Sequence, residues 1–374
     1  MGILIIKSPS DNQLSSNEAT RSNLLPQLEE LGLHQYVTIS DVSNMGGQCT
    51  RFQLRSDLVK AWSTDGDTTQ ICLKLNLDTL SNTDDLEREI LLAMMLSPVP
   101  FKFPSLAEMT SAVRIRKNVV LAARKTQLDF HVTEAERPVE YWTYHNDTGF
   151  TILPGKSLIT ALQKATQPDE SGKLYSFSCY RATEYVILLA VAQELERCNP
   201  LLLLKLQQQW QTRAIKSGSF HDIFLTEYGS MDEPLPPKFY VPGDRLWFRN
   251  PDEQSSNITG YEGSWVFYLG GGLFSNFWKP NCHYTLTSKC VEIYHWRNAT
   301  FLDQEGKLQI DESVVEERVL SSLKDKAGVE NIMQEMLRLR DPQGVYVNGD
   351  CIDISREYPR CVCQGTSDIT LPDY

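Results

Sequence analysis

The sequence predicts an α+β protein, because some segments have helical patterns and others have strand-like patterns. Residues 105–125 carry apolar side chains at the spacing of one long helix. Residues 183–197 are apolar enough for a helix that is buried on most sides. Residues 239–248 and 263–269 are instead rich in the aromatic and β-branched side chains that favour strands. Neither kind of element dominates, so we expect helices packed on a sheet.

Composition excludes several classes of protein. The chain has 374 residues, of which 41% are hydrophobic and 22% charged, as in globular proteins of more than one domain. The net charge of −12 comes without a cluster of Lys and Arg, so we expect no nucleic-acid partner. No apolar run approaches the roughly 18 residues of a membrane span. The start of the chain lacks the basic region of a secretion signal, which favours the cytoplasm. The oligomeric state stays open.

The cysteines predict neither a disulfide scaffold nor a metal site. Nine cysteines are spread over the whole chain, whereas disulfide frameworks belong to short secreted domains. Cys361 and Cys363 are one residue apart, which is not the spacing of a zinc knuckle. We therefore expect reduced thiols, no metal and no cofactor.

We predict three domains in the chain. Residues 1–83 form a small N-terminal α+β module whose residues 8–23, rich in Ser, Asn and Asp, read as a mobile leader. Residues 84–300 form the central domain and residues 301–374 a C-terminal extension. Three further segments have patterns of their own: a strand at 69–77, an acidic helix at 312–339 and a β-like segment at 344–354.

Cys179 is the residue with the clearest chemical potential. It lies where a short aromatic segment passes into the predicted buried helix. A thiol at a helix N-terminus is close to unpaired backbone N–H groups and to the positive end of the helix dipole. Both lower the pKa of a thiol, and the thiolate is the nucleophile. The alternative is a cysteine that packs as a small buried hydrophobe.

Several stretches around Cys179 occur in a particular order. They are residues 97–108, residues 116–123, Tyr141-Trp142, residues 175–179, residues 243–252 and residues 261–270. In order and spacing this set is similar to spore-coat protein-glutamine gamma-glutamyltransferases of the Bacillus type, over roughly residues 89–275. Cys179 matches the nucleophile of that family.

The resemblance implies both a fold and a reaction. It implies a compact papain-like α+β core of the kind seen in small (NlpC/P60-like) cell-wall peptidases, and a mechanism without metal. The thiolate attacks the side-chain amide of a glutamine, ammonia leaves and a thioester forms. A lysine amine converts the thioester into an isopeptide bond, or water hydrolyses it, which is deamidation. The implied partners are proteins that bear Gln and Lys.

The resemblance also implies a substrate tunnel with aromatic walls. Trp247 and Tyr261 match aromatic positions of that tunnel, and Trp265 is expected to line it with them. Such walls exclude water and so favour the amine over hydrolysis. Packing in the core is the alternative for Trp247.

Two departures from the family pattern concern proton transfer. Ser178 and Ser264 stand where the family has glutamates. Glu262 is a candidate replacement, because side chains two residues apart on a strand share a face. His283 is a second candidate, because pairing with histidine commonly activates a thiol. The alternatives to a catalytic role are that Glu262 is a solvated glutamate at the start of a strand and that His283 is a surface histidine.

Three functions are compatible with these residues. The first is a glutamine-directed acyltransferase with Cys179 as nucleophile. The second is an inactive relative that keeps the fold and binds proteins, which the loss of both glutamates favours. The third is hydrolysis of amides in a peptide substrate by a cysteine mechanism.

Overall fold

A computed structural model describes residues 1–6, 15–44, 47–130, 135–341 and 350–373, and it confirms an α+β fold. Its α-helices are α1 (Ser15–Glu30), α2 (Ser56–Trp62), α3 (Ile71–Leu75), α4 (Thr83–Leu96), α5 (Leu106–Lys125), α6 (Leu158–Thr166), α7 (Cys179–Cys198), α8 (Pro200–Thr212), α9 (Ser217–Phe224), α10 (Glu253–Ser256), α11 (Leu286–Trp296), α12 (Glu312–Ser322) and α13 (Lys326–Met336). Short 3-10 helices lie at His34–Tyr36 and Thr64–Gly66.

Among the described residues, the strands form two larger sheets and three short pairs. They are β1 (Ile3–Ile6), β2 (Val37–Asn44), β3 (Gly47–Leu54), β4 (Phe101–Phe103), β5 (Asp129–Phe130), β6 (Trp142–His145), β7 (Gly149–Ile152), β8 (Ser176–Phe177), β9 (Leu225–Tyr228), β10 (Arg245–Arg249), β11 (Gly263–Gly270), β12 (Leu273–Phe274), β13 (Tyr284–Thr285), β14 (Thr300–Leu302), β15 (Leu308–Ile310) and β16 (Arg356–Pro359).

The four-stranded sheet contains strands from both sides of the boundary predicted at residue 83. Its strand order is β2-β3-β1-β4, with β1 antiparallel to β3 and parallel to β4. β1 therefore joins the predicted N-terminal module to a strand that lies beyond residue 83. The division of the chain at residue 83 stays a prediction.

The six-stranded sheet carries the site. Its order is β13-β12-β11-β10-β16-β9, and its described pairs are antiparallel. β10 and β11 pair over five residues, with Trp247 opposite Trp265. β16, from the predicted C-terminal extension, lies between β10 and β9. The end of the chain is thus part of the sheet on which the site is built.

Helix α7 lies in the larger hydrophobic core. The run from Tyr185 to Ala192 is buried throughout, as its nearly uninterrupted apolar sequence predicts. α7 packs against α5, α6 and β11. Because β11 lies against the helix, the first residue of α7 is held next to the sheet. No helix in the described ranges is both long and apolar enough to cross a membrane.

Three predictions of local structure are wrong. The strand expected at 69–77 is the short helix α3, in which the adjacent residues Ile71 and Cys72 are buried while Leu73 is 80% exposed. Burial of neighbours fits a helix and not an alternating strand. The acidic helix is two helices, α12 and α13, with Asp325 at the start of the second. The expected leader is helical from Ser15 onward.

Parts of two predictions lie outside the described residues. These parts are residues 8–14 of the leader and residues 344–349 of the β-like segment. Of the latter segment, Ile352 forms isolated bridges with Phe248 and Leu339.

Candidate active site

Cys179 is the first residue of α7, as the sequence predicts. Ser178 is the N-cap, with extended backbone angles, and its hydroxyl accepts a hydrogen bond from the Arg181 amide at 3.3 Å. A serine at this position satisfies one of the free N–H groups that begin every helix. Ser178 therefore caps the helix that begins at Cys179.

The pKa of the Cys179 thiol is raised, so the expectation of a lowered pKa is wrong. Burial of the sulfur is the largest cause. The nearby backbone amides of Trp265 and Tyr180 and the charge of Lys289 act in the opposite direction, while the charge of Glu262 raises the pKa further. The helix start does supply favourable N–H groups, but the loss of water around the sulfur outweighs them.

Two cavities meet at Cys179. One has a volume of about 300 Å³ and the other about 490 Å³. Four residues line both: Phe130, Cys179, Gly260 and Gly263. Cys179 thus borders two spaces, which suits a reaction with two substrates.

The smaller cavity has tryptophan walls. Trp247 and Trp265 both line it, stacked with ring centroids 6.1 Å apart and planes inclined by 19°. Gly263 makes this packing possible, because a Cβ at that position would lie 2.2 Å from Nε1 of Trp247. The structure therefore brings Trp247 and Trp265 together beside Cys179.

Glu262 also lines the smaller cavity. It lies in the bend before β11, where its Oε2 accepts a hydrogen bond from the Gly260 amide at 3.0 Å. Ser264, on the strand itself, is buried and lines the larger cavity. The bend, and not a shared strand face, brings the Glu262 carboxylate near Cys179.

His283 and Tyr261 line the larger cavity. Burial, followed by the charge of Arg124, lowers the pKa of His283, so its ring is neutral at pH 7. Its buried Nδ1 has no hydrogen-bond partner among the described residues. The Tyr261 ring packs edge-on against Trp296 at 5.2 Å, and its hydroxyl donates to Oε1 of Glu312 at 2.5 Å. The three predicted aromatic residues are therefore divided between the two cavities.

Sequence reasoning missed Lys289. This residue lies in the first turn of α11, lines the larger cavity, and has a side chain only 4% exposed. Its ammonium is 3.2 Å from Oε2 of Glu292 and 4.2 Å from the centre of the Tyr284 ring. The sequence signal that could have identified Lys289 is a lysine among the apolar residues of a predicted helix.

Arg245 is a second residue that the sequence did not single out. Its buried guanidinium lies 4.0 Å from the Trp265 ring centre and 4.5 Å from that of Tyr180. It donates to the Thr183 hydroxyl at 2.9 Å and to Glu357 at 2.8 Å. Arg245 therefore fixes the two residues whose amides lie near the Cys179 sulfur.

Comparisons with known proteins agree with the resemblance. The family model described as protein-glutamine gamma-glutamyltransferase matches residues 67–347. A protein-glutamine gamma-glutamyltransferase of Halalkalibacterium halodurans is 25% identical over 185 residues, 47% of this chain. The match spans 58% of that relative's length. A solved transglutaminase from Geobacillus stearothermophilus, without its C-terminal extension, is 19% identical, with a TM-score of 0.38, 57% coverage of this chain and 98% of that one.

The matched region contains all the residues that line the two cavities, from Phe130 to Leu323. It extends beyond the interval of about 89–275 that the sequence motifs cover, and it includes α11 and α12. The chain belongs to the protein-glutamine gamma-glutamyltransferase family.

Proposed function

We propose that this chain transfers the γ-glutamyl group of a protein-bound glutamine to a primary amine, with Cys179 as the nucleophile. The observation that supports this most strongly is the position of Cys179 where two cavities meet. An acyl donor in one cavity and an acceptor in the other would reach the same sulfur. A family relative carries the name of this activity.

The glutamine side chain enters the smaller cavity beside the stacked rings of Trp247 and Trp265. The thiol loses its proton, and the thiolate attacks the amide carbon to form a C–S bond. The oxygen that becomes negative is stabilised by the backbone amides of Trp265 and Tyr180, because N–H groups fixed beside a developing charge require no reorganisation. The C–N bond breaks and ammonia leaves with the proton taken from the thiol, which yields the thioester.

Glu262 is the proposed proton carrier. The raised pKa of Cys179 means that the thiol is protonated at neutral pH, so attack requires a base. Glu262 shares the smaller cavity with Cys179, and its charge already acts on the sulfur. It would accept the proton from the thiol and return it to the leaving nitrogen.

His283 is the second candidate for this role. It is neutral at pH 7, its Nδ1 has no hydrogen-bond partner in the described part of the chain, and it lines the cavity proposed for the acceptor. From there it would remove a proton from the attacking amine in the second half of the reaction. Glu262 and His283 would then serve opposite halves of one cycle.

The acceptor amine attacks the thioester from the larger cavity. A C–N bond forms, the C–S bond breaks, and the sulfur leaves with its electron pair and is reprotonated by the amine's proton. The aromatic walls limit access of water, which would otherwise hydrolyse the thioester. Proteins that bear glutamine and lysine are the proposed substrates.

The test is the incorporation of a fluorescent primary amine into a glutamine-bearing protein. Cys179→Ala should abolish incorporation, and Glu262→Gln and His283→Ala should each lower kcat by roughly 100-fold. Cys198→Ala, at the other end of α7, is the matched control and should leave the rate unchanged. Ammonia release without incorporation would indicate a deamidase. An inactive wild type would instead support the protein-binding relative.

A further inference from the structure

The guanidinium of Arg245 packs against two residues of the candidate active site. It lies 4.0 Å from the ring centre of Trp265 and 4.5 Å from that of Tyr180, and these two rings meet edge-on at 5.3 Å. The backbone amides of the same two residues lie near the Cys179 sulfur. A shift of the guanidinium would therefore move both of the residues that supply N–H groups to the sulfur.

Hydrogen bonds tie Arg245 to the first turn of α7 as well. Its Nε donates to the Thr183 hydroxyl at 2.9 Å, and that hydroxyl donates to the Tyr180 carbonyl oxygen at 2.7 Å. Arg245 thus holds Tyr180 through the ring and through the backbone. The helix turn that carries Cys179 is fixed to β10 by these contacts.

A buried guanidinium needs a negative partner. Arg245 is buried and stays charged at any pH at which the protein folds, and a buried charge without a partner is costly. Among the described residues, the carboxylate at ion-pair distance from Arg245 is that of Glu357, at 2.8 Å. Glu184, which also senses the Arg245 charge, pairs instead with Arg181 at 2.7 Å. Glu357 therefore keeps the guanidinium in its place.

The sheet determines the position of Glu357. This residue lies directly opposite Arg245 in the pairing of β10 with β16, and β16 is itself flanked by β10 and β9. β16 lies beyond residues 67–347, which the family model matches. The negative partner of Arg245 thus comes from a strand outside the matched region.

We propose that Glu357 is a positioning residue for the reaction at Cys179. It fixes Arg245, and the guanidinium holds the amides of Tyr180 and Trp265 toward the sulfur. The effect on turnover rests on the proposed function, in which these amides stabilise the oxyanion. The effect on the thiolate is independent of turnover. The C-terminal strand is then part of the active site as well as of the sheet.

The direction of one shift separates positioning from a direct effect of charge. Glu357→Gln removes a negative charge, which by itself favours the thiolate and lowers the pKa of Cys179. Displacement of the two amides withdraws N–H groups from the thiolate and raises that pKa. A rise in the Glu357→Gln variant therefore reports lost positioning, and a fall reports the charge alone.

The experiment measures iodoacetamide labelling of Cys179 against pH by mass spectrometry. In Glu357→Gln we expect the midpoint to rise by about half a pH unit, as for a weakened hydrogen bond to a charged group. Arg245→Lys keeps the positive charge but lacks the planar group that lies on both rings, so it should raise the midpoint too. In both variants kcat for amine incorporation should fall by about tenfold. Glu357→Asp, which retains the carboxylate, should lie closer to the wild type in both measurements.

Glu194→Gln is the matched control for the loss of a buried ion pair. Glu194 is also on α7, and its two carboxylate oxygens each accept from Nε of Arg114 at 3.0 Å. This variant should lower the melting temperature and leave the midpoint unchanged. An unchanged or lower midpoint in Glu357→Gln, or an equal rise in Glu194→Gln, would overturn the proposal. If Glu357→Gln does not fold, an unchanged midpoint in Arg245→Lys would overturn it.

Labelling requires no turnover, so the two proposals can fail separately. If the wild type incorporates no amine but the midpoint rises in Glu357→Gln, the proposed function fails and the positioning role stands. If the wild type incorporates amine but neither the midpoint nor kcat changes in Glu357→Gln, the positioning role is wrong and the proposed function stands.

Discussion

Trp247 and Trp265 face each other across β10 and β11 and stack at 6.1 Å beside the Cys179 sulfur. The buried guanidinium of Arg245 lies on Trp265 at 4.0 Å. The wall of the smaller cavity is therefore held in place by both strands and by the buried ion pair of Arg245 with Glu357.

Opening this wall should shift the reaction toward water. We expect Trp265→Leu to raise the ratio of ammonia released to amine incorporated by several-fold, since a smaller side chain admits water to the thioester. The measurement is parallel quantification of ammonia and labelled product. Tyr144→Leu, an exposed aromatic residue on β6, is the control. An unchanged partition in Trp265→Leu would mean that the indole does not shield the thioester.

The reactivity of Cys179 toward alkylation should rise with pH, and the midpoint of that rise should lie at a higher pH than for a free cysteine. Burial raises the pKa of its thiol, so the thiolate becomes the major form only at alkaline pH. Because the Lys289 charge lowers that pKa, Lys289→Gln should move the midpoint of alkylation to still higher pH. The measurement is the rate of iodoacetamide labelling of Cys179 against pH, with N-acetylcysteine as reference. A midpoint below the reference would contradict the dominance of burial.

The C-terminal segment should be essential for stability. The buried carboxylate of Glu108 accepts hydrogen bonds from the amides of Val362 and Cys363, at 3.1 and 2.9 Å, and from the Thr366 hydroxyl at 2.6 Å. Glu108→Ala leaves these donors without a partner, and we expect a loss of about 3 kcal/mol in the free energy of unfolding. Urea denaturation measures it.

Thr366→Val is the graded comparison. It removes one of the three hydrogen bonds to Glu108 and should lower the free energy of unfolding by about 1 kcal/mol. Equal losses in the two variants would show that the hydroxyl alone holds the segment.

The sequence was informative where one local rule decides the structure. The N-cap at Ser105, the apolar run of α7 and the aromatic and β-branched side chains of β11 each determine their element without help from distant residues. The position of Cys179 at the start of α7 was predictable for the same reason, whereas its role as nucleophile is a prediction that rests on the family resemblance.

Long-range relationships were not predictable in this way. Glu108 has capping-box spacing, but its carboxylate binds residues more than 250 positions later, in a segment that follows β16. The proximity of Lys289 to Cys179 depends on how α11 packs on the sheet. The pKa of Cys179 depends on its burial among distant segments, which outweighs the local effect of the helix N-terminus.

The three-domain division can be tested by unfolding. Because β1 pairs with β4 across residue 83, and β16 lies inside the six-stranded sheet, we expect one cooperative transition for the whole chain. Calorimetry combined with limited proteolysis would show it. Separate transitions, or a stable fragment beginning near residue 84, would instead support independent domains.

The central claim, that Cys179 forms a thioester with glutamine, is tested most directly by intact-protein mass spectrometry. The protein is incubated with a glutamine-containing peptide, without added amine, and quenched in acid. We predict an adduct with the mass of the peptide less one ammonia, located on Cys179 by digestion and absent in Cys179→Ala. An adduct on another thiol such as the exposed Cys282, or ammonia release that persists in Cys179→Ala, would contradict the account.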